Sequence, residues 1–335
     1  MTITASPNKG RDDTTIRGAS RRMESRGGGG PLRVLVTGGA GFIGSHVVNR
    51  LVDRGDEVIV IDDLSTGLRD NVNPRARLVV GSITDGQLVQ EAVAAVDACV
   101  HLAAIASVGR FNEDWAACHA VNQSAFVALL QFVARRPKGR IPLVYASSAA
   151  VYGHSTQLPI CETAVARPLS GYGADKLGCE SHARAAGEAG GVATFGLRFF
   201  NVYGVGQRPE SPYAGVVSIF ADRTLRGEPL NIYGDGSQSR DFVHVDDAVQ
   251  AVLAALARTS TTGPVCNIGT GVETSIVRLA KMLSRIMRPS AVPVFRPARV
   301  GDISRSVADV TLAKHLLDYE AKVELRAGLK TLAVS

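Results

Sequence analysis

The sequence predicts an α/β protein: a doubly wound parallel sheet with helices on both faces, followed by a smaller mixed α/β lobe. Three observations carry the prediction. Between Arg33 and about Phe199, short apolar runs alternate with stretches of helical periodicity. The first of those runs leads directly into a glycine-rich turn. Beyond Phe199 the alternation loosens, and Pro209, Pro212, Pro229, Pro264, Pro289, Pro293 and Pro297 divide the chain into short pieces.

Strands are expected at 33–37, 57–61, 77–80, 98–102, 142–146 and 193–197. Most are runs rich in Val, Ile and Leu, the composition of strands buried on both faces of a parallel sheet. Helices are expected between them at 43–54, 87–96, 115–135 and 172–187, as right-handed crossovers. A first lobe thus spans 31–200, and 201–335 is mainly a second lobe closing over a ligand, with about 241–260 returning to the first. Residues 1–30 are rich in Gly, Ser, Thr and Arg, lack apolar periodicity, and read as a disordered tail.

A chain of 335 residues, 45% hydrophobic and 20% charged, can build one large or two modest cores. Its net charge is +6, but half of that lies in residues 1–30, so charge gives little support to nucleic-acid binding. No stretch approaches the ~18–20 apolar residues of a membrane span. Arg21-Arg22 is followed by Gly27-Gly28-Gly29-Gly30 rather than an apolar run, which argues against export. The five cysteines are scattered without Cys-x-x-Cys spacing, so neither a metal site nor a disulfide framework is expected. Free thiols in a reducing cytoplasm are the expectation.

The glycine turn has a chemical reading. Gly39, Gly41 and Gly44 form G-x-G-x-x-G directly after a strand and before a helix. Around them, Gly38, Phe42 and Ile43 complete a tight turn that lets a pyrophosphate approach free N–H groups at a helix N-terminus. Asp62 ends the next strand, where an acid can hold a ribose 2′-hydroxyl and repel a 2′-phosphate. The combination points to NAD rather than NADP.

Tyr172 and Lys176 stand four residues apart, so one helix face presents both. A phenol with a reference pKa of ~10 is a poor base. An adjacent ammonium favours its ionised form and equips it for proton transfer. The run from Leu143 to Gly153 reads as a buried strand ending in Ser147 and Ser148, at the end where doubly wound sheets bind ligands. No His/Asp arrangement supports a serine nucleophile.

At this point the chain resembles the extended short-chain dehydrogenase/reductase family, a Rossmann-type fold, and especially its nucleotide-sugar 4-epimerases. The resemblance spans about 33–332. It is carried by 37–46, His101-Leu102-Ala103-Ala104, Ser147 to Gly153, Tyr172-x-x-x-Lys176, the run from Leu197 to Gly204, the run from Arg240 to Asp247, and Arg299-Val300-Gly301-Asp302. It implies that Ser148, Tyr172 and Lys176 are catalytic, with Lys176 also on the nicotinamide ribose. It adds Leu102, Ala103, Ala104 and Asn122 to the cofactor contacts. It places Asn201, Arg240 and Arg299 on the substrate diphosphate and Asp302 on its ribose or uridine. One departure stands out: the family commonly has an acid for the adenine amine after the third strand, where this chain has Ser82.

In the family, dehydrating relatives carry an acidic pair after the catalytic hydroxyl, and decarboxylating ones a glutamate two residues beyond it. Here Ser148 is followed by Ala149-Ala150, which leaves no auxiliary acid. Epimerisation needs none, so the resemblance implies NAD-dependent C4 epimerisation of a UDP-sugar through a 4-keto intermediate. The position lining the hexose C2 pocket in epimerases matches Ser306, small enough to admit an N-acetyl group. A UDP-glucuronate 4-epimerase or a nucleotide-sugar 4-ketoreductase of the same fold stays open. A non-catalytic NAD-binding protein would not need Tyr172 and Lys176. Family members commonly dimerise through two helices per subunit, which here would be those at 115–135 and 172–187.

Overall fold

Seven short strands run parallel in the central sheet, each held between helices on both faces. The computed structural model describes residues 30–106, 108–211, 214–287, 291–298 and 301–333. Along the chain come β1 (Arg33–Thr37), α1 (Phe42–Asp53), β2 (Glu57–Asp62), β3 (Arg77–Val80), α2 (Gly86–Ala95), β4 (Ala98–His101), α3 (Val108–Glu113) and α4 (Trp115–His119). A π-helical turn (Ala120–Ser124) leads into α5 (Ala125–Ala134), then β5 (Leu143–Ser148), α6 (Gly171–Gly190), β6 (Thr194–Phe199) and β7 (Asn201–Tyr203). The remainder is α7 (Val216–Leu225), β8 (Leu230–Tyr233), β9 (Ser239–His244), α8 (Val245–Leu256), β10 (Val265–Ile268), β11 (Glu273–Ser275), α9 (Ile276–Ile286), β12 (Pro293–Arg296), α10 (Thr311–Leu317) and α11 (Leu325–Thr331).

The large sheet has the order β10-β6-β5-β4-β1-β2-β3, which is doubly wound about β1. Alternation along β1 shows why its strands are apolar throughout. Val34 and Val36 join the core beneath α1, α8 and α10, whereas Leu35 joins the core beneath α2, α5 and α6. Six of the seven strands fall where the sequence places them; β10 is an addition at the edge, paired with β6. Its four residues lie in a Pro- and Gly-rich context that hides a strand from pattern reading.

Two small sheets, β11-β9-β7 and β12-β8, pack with α7, α9 and α11 around a separate apolar cluster. A buried carboxylate organises this part. Asp241 is 0% exposed and accepts hydrogen bonds from Thr270 N, Thr270 Oγ1, Gly271 N and Ala308 N at 2.8, 2.6, 2.9 and 3.2 Å. Burial raises its pKa, and these four bonds oppose the rise.

The run Trp115–Ala134 differs from the expectation that nothing resembles a membrane span. It forms one helix of 20 residues with mean hydropathy 1.3. Length and composition would suit a bilayer, but Phe126, Leu129 and Val133 are buried against the sheet. Of the expected disordered tail at 1–30, residues 1–29 lie outside the described residues.

Asp241→Ala strands four donors and is expected to lower the unfolding free energy by about 3 kcal/mol. A urea titration measures this as a lower midpoint with unchanged slope; a loss under about 1 kcal/mol would count against the organising role.

Candidate functional site

A cavity of about 470 Å³ opens along the carboxyl ends of the central strands. Its lining begins at Gly38, Gly41, Phe42, Ile43 and Gly44, passes Asp62, crosses Leu102, Ala103 and Ala104, and reaches Ser148, Tyr172, Lys176 and Asn201. Residues scattered over about half the chain therefore meet where a doubly wound sheet binds ligands.

The glycine turn is built for close approach. Gly38 has φ +72°, and a Cβ there would lie 2.6 Å from Ala103 N. A Cβ on Gly44 would collide with the Gly38 carbonyl oxygen. Gly41 caps α1 without any side-chain hydrogen bond, so the first N–H groups of a 12-residue helix face the cavity with their positive end. This cradle fits an anionic pyrophosphate. Asp62 is 8% exposed, with Oδ2 accepting from Ala40 N and Oδ1 from Leu64 N, both at 2.9 Å. Burial raises its pKa, while these bonds and their fixed geometry hold the carboxylate at the strand end.

On α6 the expected pair is in place. Lys176 is 1% exposed, and its Nζ stands 5.7 Å from the Tyr172 ring centroid. Ser170 caps the helix by accepting from Gly173 N at 3.1 Å, which fixes the turn carrying Tyr172. Ser148 ends β5 and caps the short turn Ala149–Val151, its Oγ accepting from Ala150 N at 3.1 Å. The cap fixes the rotamer and leaves the hydroxyl proton for another partner.

Other expected residues sit differently. Asn122 is 0% exposed within the π-helical turn; its Oδ1 accepts from Ile105 N at 2.7 Å and its Nδ2 donates to Ile105 O at 2.9 Å. It clamps the loop after β4, and Val121 and Ile105 line the cavity in its place. Ser82 pairs with Thr84 Oγ1 at 2.8 Å, while its neighbours Gly81 and Ile83 line the cavity. Arg240 and Asp302 meet each other: Arg240 Nη2 donates to Asp302 Oδ1 at 2.7 Å and Nη1 to Ile303 O at 2.6 Å. Ser306 is 7% exposed, and its N donates to Ser239 O at 3.2 Å, beside Arg240. These three are not among the residues lining the cavity, and Arg299 lies outside the described residues.

Sequence reasoning assigned no role to His101 or Gln207, and it placed Ser147 beside Ser148 at the ligand-binding end of its strand. His101 is buried at the end of β4, its Nδ1 2.8 Å from Thr37 Oγ1. Burial, then the charge of Lys176, pushes its pKa down to about 3, so it is a neutral ring. Its position inside a family motif was the available signal. Gln207 lines the cavity with a buried Oε1 that has no hydrogen-bond partner among the described residues. Ser147, also lining it, donates to the buried Glu180 at 2.5 Å.

Fold and cavity together define an enzyme of the short-chain dehydrogenase/reductase type that works with a dinucleotide. The chain belongs to the NAD dependent epimerase/dehydratase family, whose model its residues 34–269 match. It is 36% identical over 305 residues to the UDP-glucose 4-epimerase of Mycolicibacterium smegmatis, across 89% of this chain and 96% of the relative. Among solved structures it resembles the UDP-glucose 4-epimerase of Thermotoga maritima with UDP-glucose, at TM-score 0.86 and 38% identity, covering 90% of this chain and 97% of that one. It also resembles the UDP-N-acetylglucosamine 4-epimerase of Methanobrevibacter ruminantium in complex with UDP-N-acetylmuramic acid, at TM-score 0.85 and 31% identity, covering 91% and 98%.

Gly44→Ala forces the turn apart and is expected to reduce stability at the upper end of ~1–3 kcal/mol. Thermal unfolding checks this; an unchanged melting temperature would mean that the turn tolerates a Cβ.

Proposed function

We propose that the protein interconverts the C4 epimers of a UDP-sugar, accepting UDP-N-acetylglucosamine and UDP-N-acetylgalactosamine as well as UDP-glucose and UDP-galactose. The carrying observation is the convergence of Ser148, Tyr172 and Lys176 with the glycine cradle and Asp62 in one cavity. Gly38, Gly41, Phe42, Ile43 and Gly44 would hold the NAD pyrophosphate, Asp62 the adenosine ribose and Lys176 the nicotinamide ribose, as far as the lobe at 31–200 is concerned. When bound, NAD supplies the acceptance and return of hydride at the sugar C4, through a 4-keto sugar.

The chain's own groups manage the proton. Tyr172 Oη takes it from the C4 hydroxyl and returns it to the same oxygen once the turned sugar has presented its opposite face to the returning hydride. Ser148 donates a hydrogen bond to that same oxygen. Its Oγ is already fixed by Ala150 N, so orientation costs little at the moment of reaction. Lys176 is buried beside the phenol, its Nζ 5.7 Å from the Tyr172 ring centroid. Beyond the catalytic groups, Asn201, Arg240, Arg299 and Asp302 would engage the nucleotide diphosphate and ribose, mainly from the second lobe. Guanidinium forks suit phosphate oxygens, and Arg240 would exchange Asp302 for them. Ser306 is assigned to the hexose C2 side, where its small side chain leaves room for an acetamido group.

The same reading includes a homodimer formed by the helix Trp115–Ala134 and α6. In support, that apolar helix is only 39% buried, and Val127, Leu130, Ala134, Ala185, Ala186 and Ala189 line an open groove between α5 and α6. A cytoplasmic location accords with the free thiols of Cys99, Cys118, Cys161, Cys179 and Cys266.

Incubation with UDP-glucose, UDP-N-acetylglucosamine and UDP-glucuronate without added cofactor, followed by separation of C4 epimers, tests the reading. Turnover of UDP-glucuronate alone would favour the uronate epimerase instead. Tyr172→Phe is expected to cut kcat by about a thousandfold while the protein retains NAD, read by its release on denaturation. Activity at a substantial fraction of wild type would sink the assignment. Ser306→Tyr is expected to lower kcat/KM for the N-acetylhexosamine substrates by about tenfold or more and to spare the plain hexoses. Equal loss on both pairs would remove Ser306 from the C2 pocket.

A further inference from the structure

Beneath the cavity floor runs a buried polar chain that neither the proton chemistry nor the cofactor cradle uses. It starts on α6, where Glu180 follows Tyr172 and Lys176 at the same four-residue interval and therefore faces the same way. Glu180 is 7% exposed, and so is Arg198 on β6. Arg198 grips the carboxylate with both arms of its fork, Nε to Oε1 at 2.8 Å and Nη2 to Oε2 at 2.6 Å. On the other side Ser147, the residue before Ser148, donates to the same Oε1 at 2.5 Å.

Arg198 is itself anchored. Its Nη1 donates to Tyr152 Oη at 2.7 Å, and Tyr152 Oη donates to Asn267 Oδ1 at 2.6 Å. The guanidinium carbon lies 4.8 Å from the Tyr152 ring centroid. Strand register puts Ser147 opposite Arg198 and Arg198 opposite Asn267, so three adjacent strands present one row of polar groups to a single carboxylate on the helix. Glu180 is the only member of that row contributed by α6 among the described residues.

We infer that Glu180 is a positioning residue for the epimerisation proposed above, and that the length of its tether sets where Tyr172 stands relative to Ser148. Glu180 lies eight residues from Tyr172, roughly 12 Å along a rigid helix, so a shift at the tether is carried to the phenol. At the other end, Ser147 joins the tether directly to the strand end bearing Ser148. Serine and tyrosine are thus referenced to one point.

The experiment separates reach from charge. Glu180→Asp keeps the ion pair but shortens the reach by one methylene, whereas Glu180→Gln keeps the reach and removes the charge. For each variant, kcat, KM, melting temperature and acrylamide quenching of the single tryptophan are measured. Trp115 serves as the reporter because a Cβ at Gly171, one residue before Tyr172, would lie 2.6 Å from its indole nitrogen. In Glu180→Asp, kcat should fall by about tenfold or more, with KM within about twofold and an altered quenching constant. Glu180→Gln should melt lower than Glu180→Asp yet retain a higher kcat per folded molecule. These opposite orders are not expected of a group that only adds stability.

Wild-type kcat in Glu180→Asp, or Trp115 quenching identical to wild type, would overturn the inference. If Glu180→Gln does not fold, Glu180→Asp decides alone. If the wild-type protein shows no epimerase activity, the functional reading fails, and the quenching comparison still decides whether α6 is held by this tether.

Discussion

The contact on which the rest of this architecture depends is the buried pair of Glu180 and Arg198. Neither charge is easily taken from water; each costs several kcal/mol to desolvate, and attraction offsets that only when geometry is good and all remaining donors are satisfied. Here the grip is bidentate, and among the described residues four Arg198 N–H groups have acceptors: Glu180 Oε1 and Oε2, Tyr152 Oη and the Glu162 carbonyl. Burial works against the Arg198 charge, but the bonds to Glu180 outweigh it and leave the guanidinium pKa above its usual value. The arrangement is useful because it is intolerant: a helix whose carboxylate is gripped by two strands has one height and one rotation available. An apolar contact of equal area would allow sliding.

Around that fixed helix the cavity divides its labour by chemistry. Backbone N–H groups and glycines face the side where an anion would lie, and a buried carboxylate faces the side where a sugar hydroxyl would. Side chains able to move a proton, Ser148 and Tyr172, stand beside Lys176 in the same cavity. None of these groups competes for another's partner, because each is tied locally: Ser148 to Ala150, Asp62 to Ala40 and Leu64, Asn122 to Ile105. Arg240 is the exception. It is held by Asp302 and by the Ile303 carbonyl, a closed set of contacts that a phosphate would have to enter.

Much of this was legible in the sequence, for physical reasons. Strands buried on both faces must be apolar, and pyrophosphate at a helix N-terminus demands glycines, so β1 through β6 and the turn at Gly38–Gly44 announce themselves. Tyr172 and Lys176 were visible because helical spacing is regular. What escaped is what depends on long-range pairing. β10 is four residues long and gains its identity only beside β6. The π-helical turn at Ala120–Ser124 has no local composition to mark it, and the bonds that close the Asn122 amide on Ile105 join positions 17 residues apart. The partnership of Glu180, Arg198 and Ser147 joins positions from separate crossovers, which no periodicity links. Ser82 and Ser306 were singled out by resemblance alone, and their surroundings are set by loops whose course the sequence does not reveal.

The position of β10 and of the helices covering its face has a consequence for synthesis. α8 and α10 contribute Val245, Ala248, Val249, Ala313 and Leu317 to the core on one side of the large sheet. All of these follow residue 240 in the chain. While the ribosome is still making the chain beyond residue 200, the six earlier strands can pair, but much of the apolar face beneath α8 and α10 stays bare. The six strands made by residue 200 must therefore wait for the last tenth of the chain to be covered. During that interval it presents the kind of exposed surface that chaperones bind and that aggregates share. Truncation near the C-terminus thus threatens the large sheet as much as the elements that follow it.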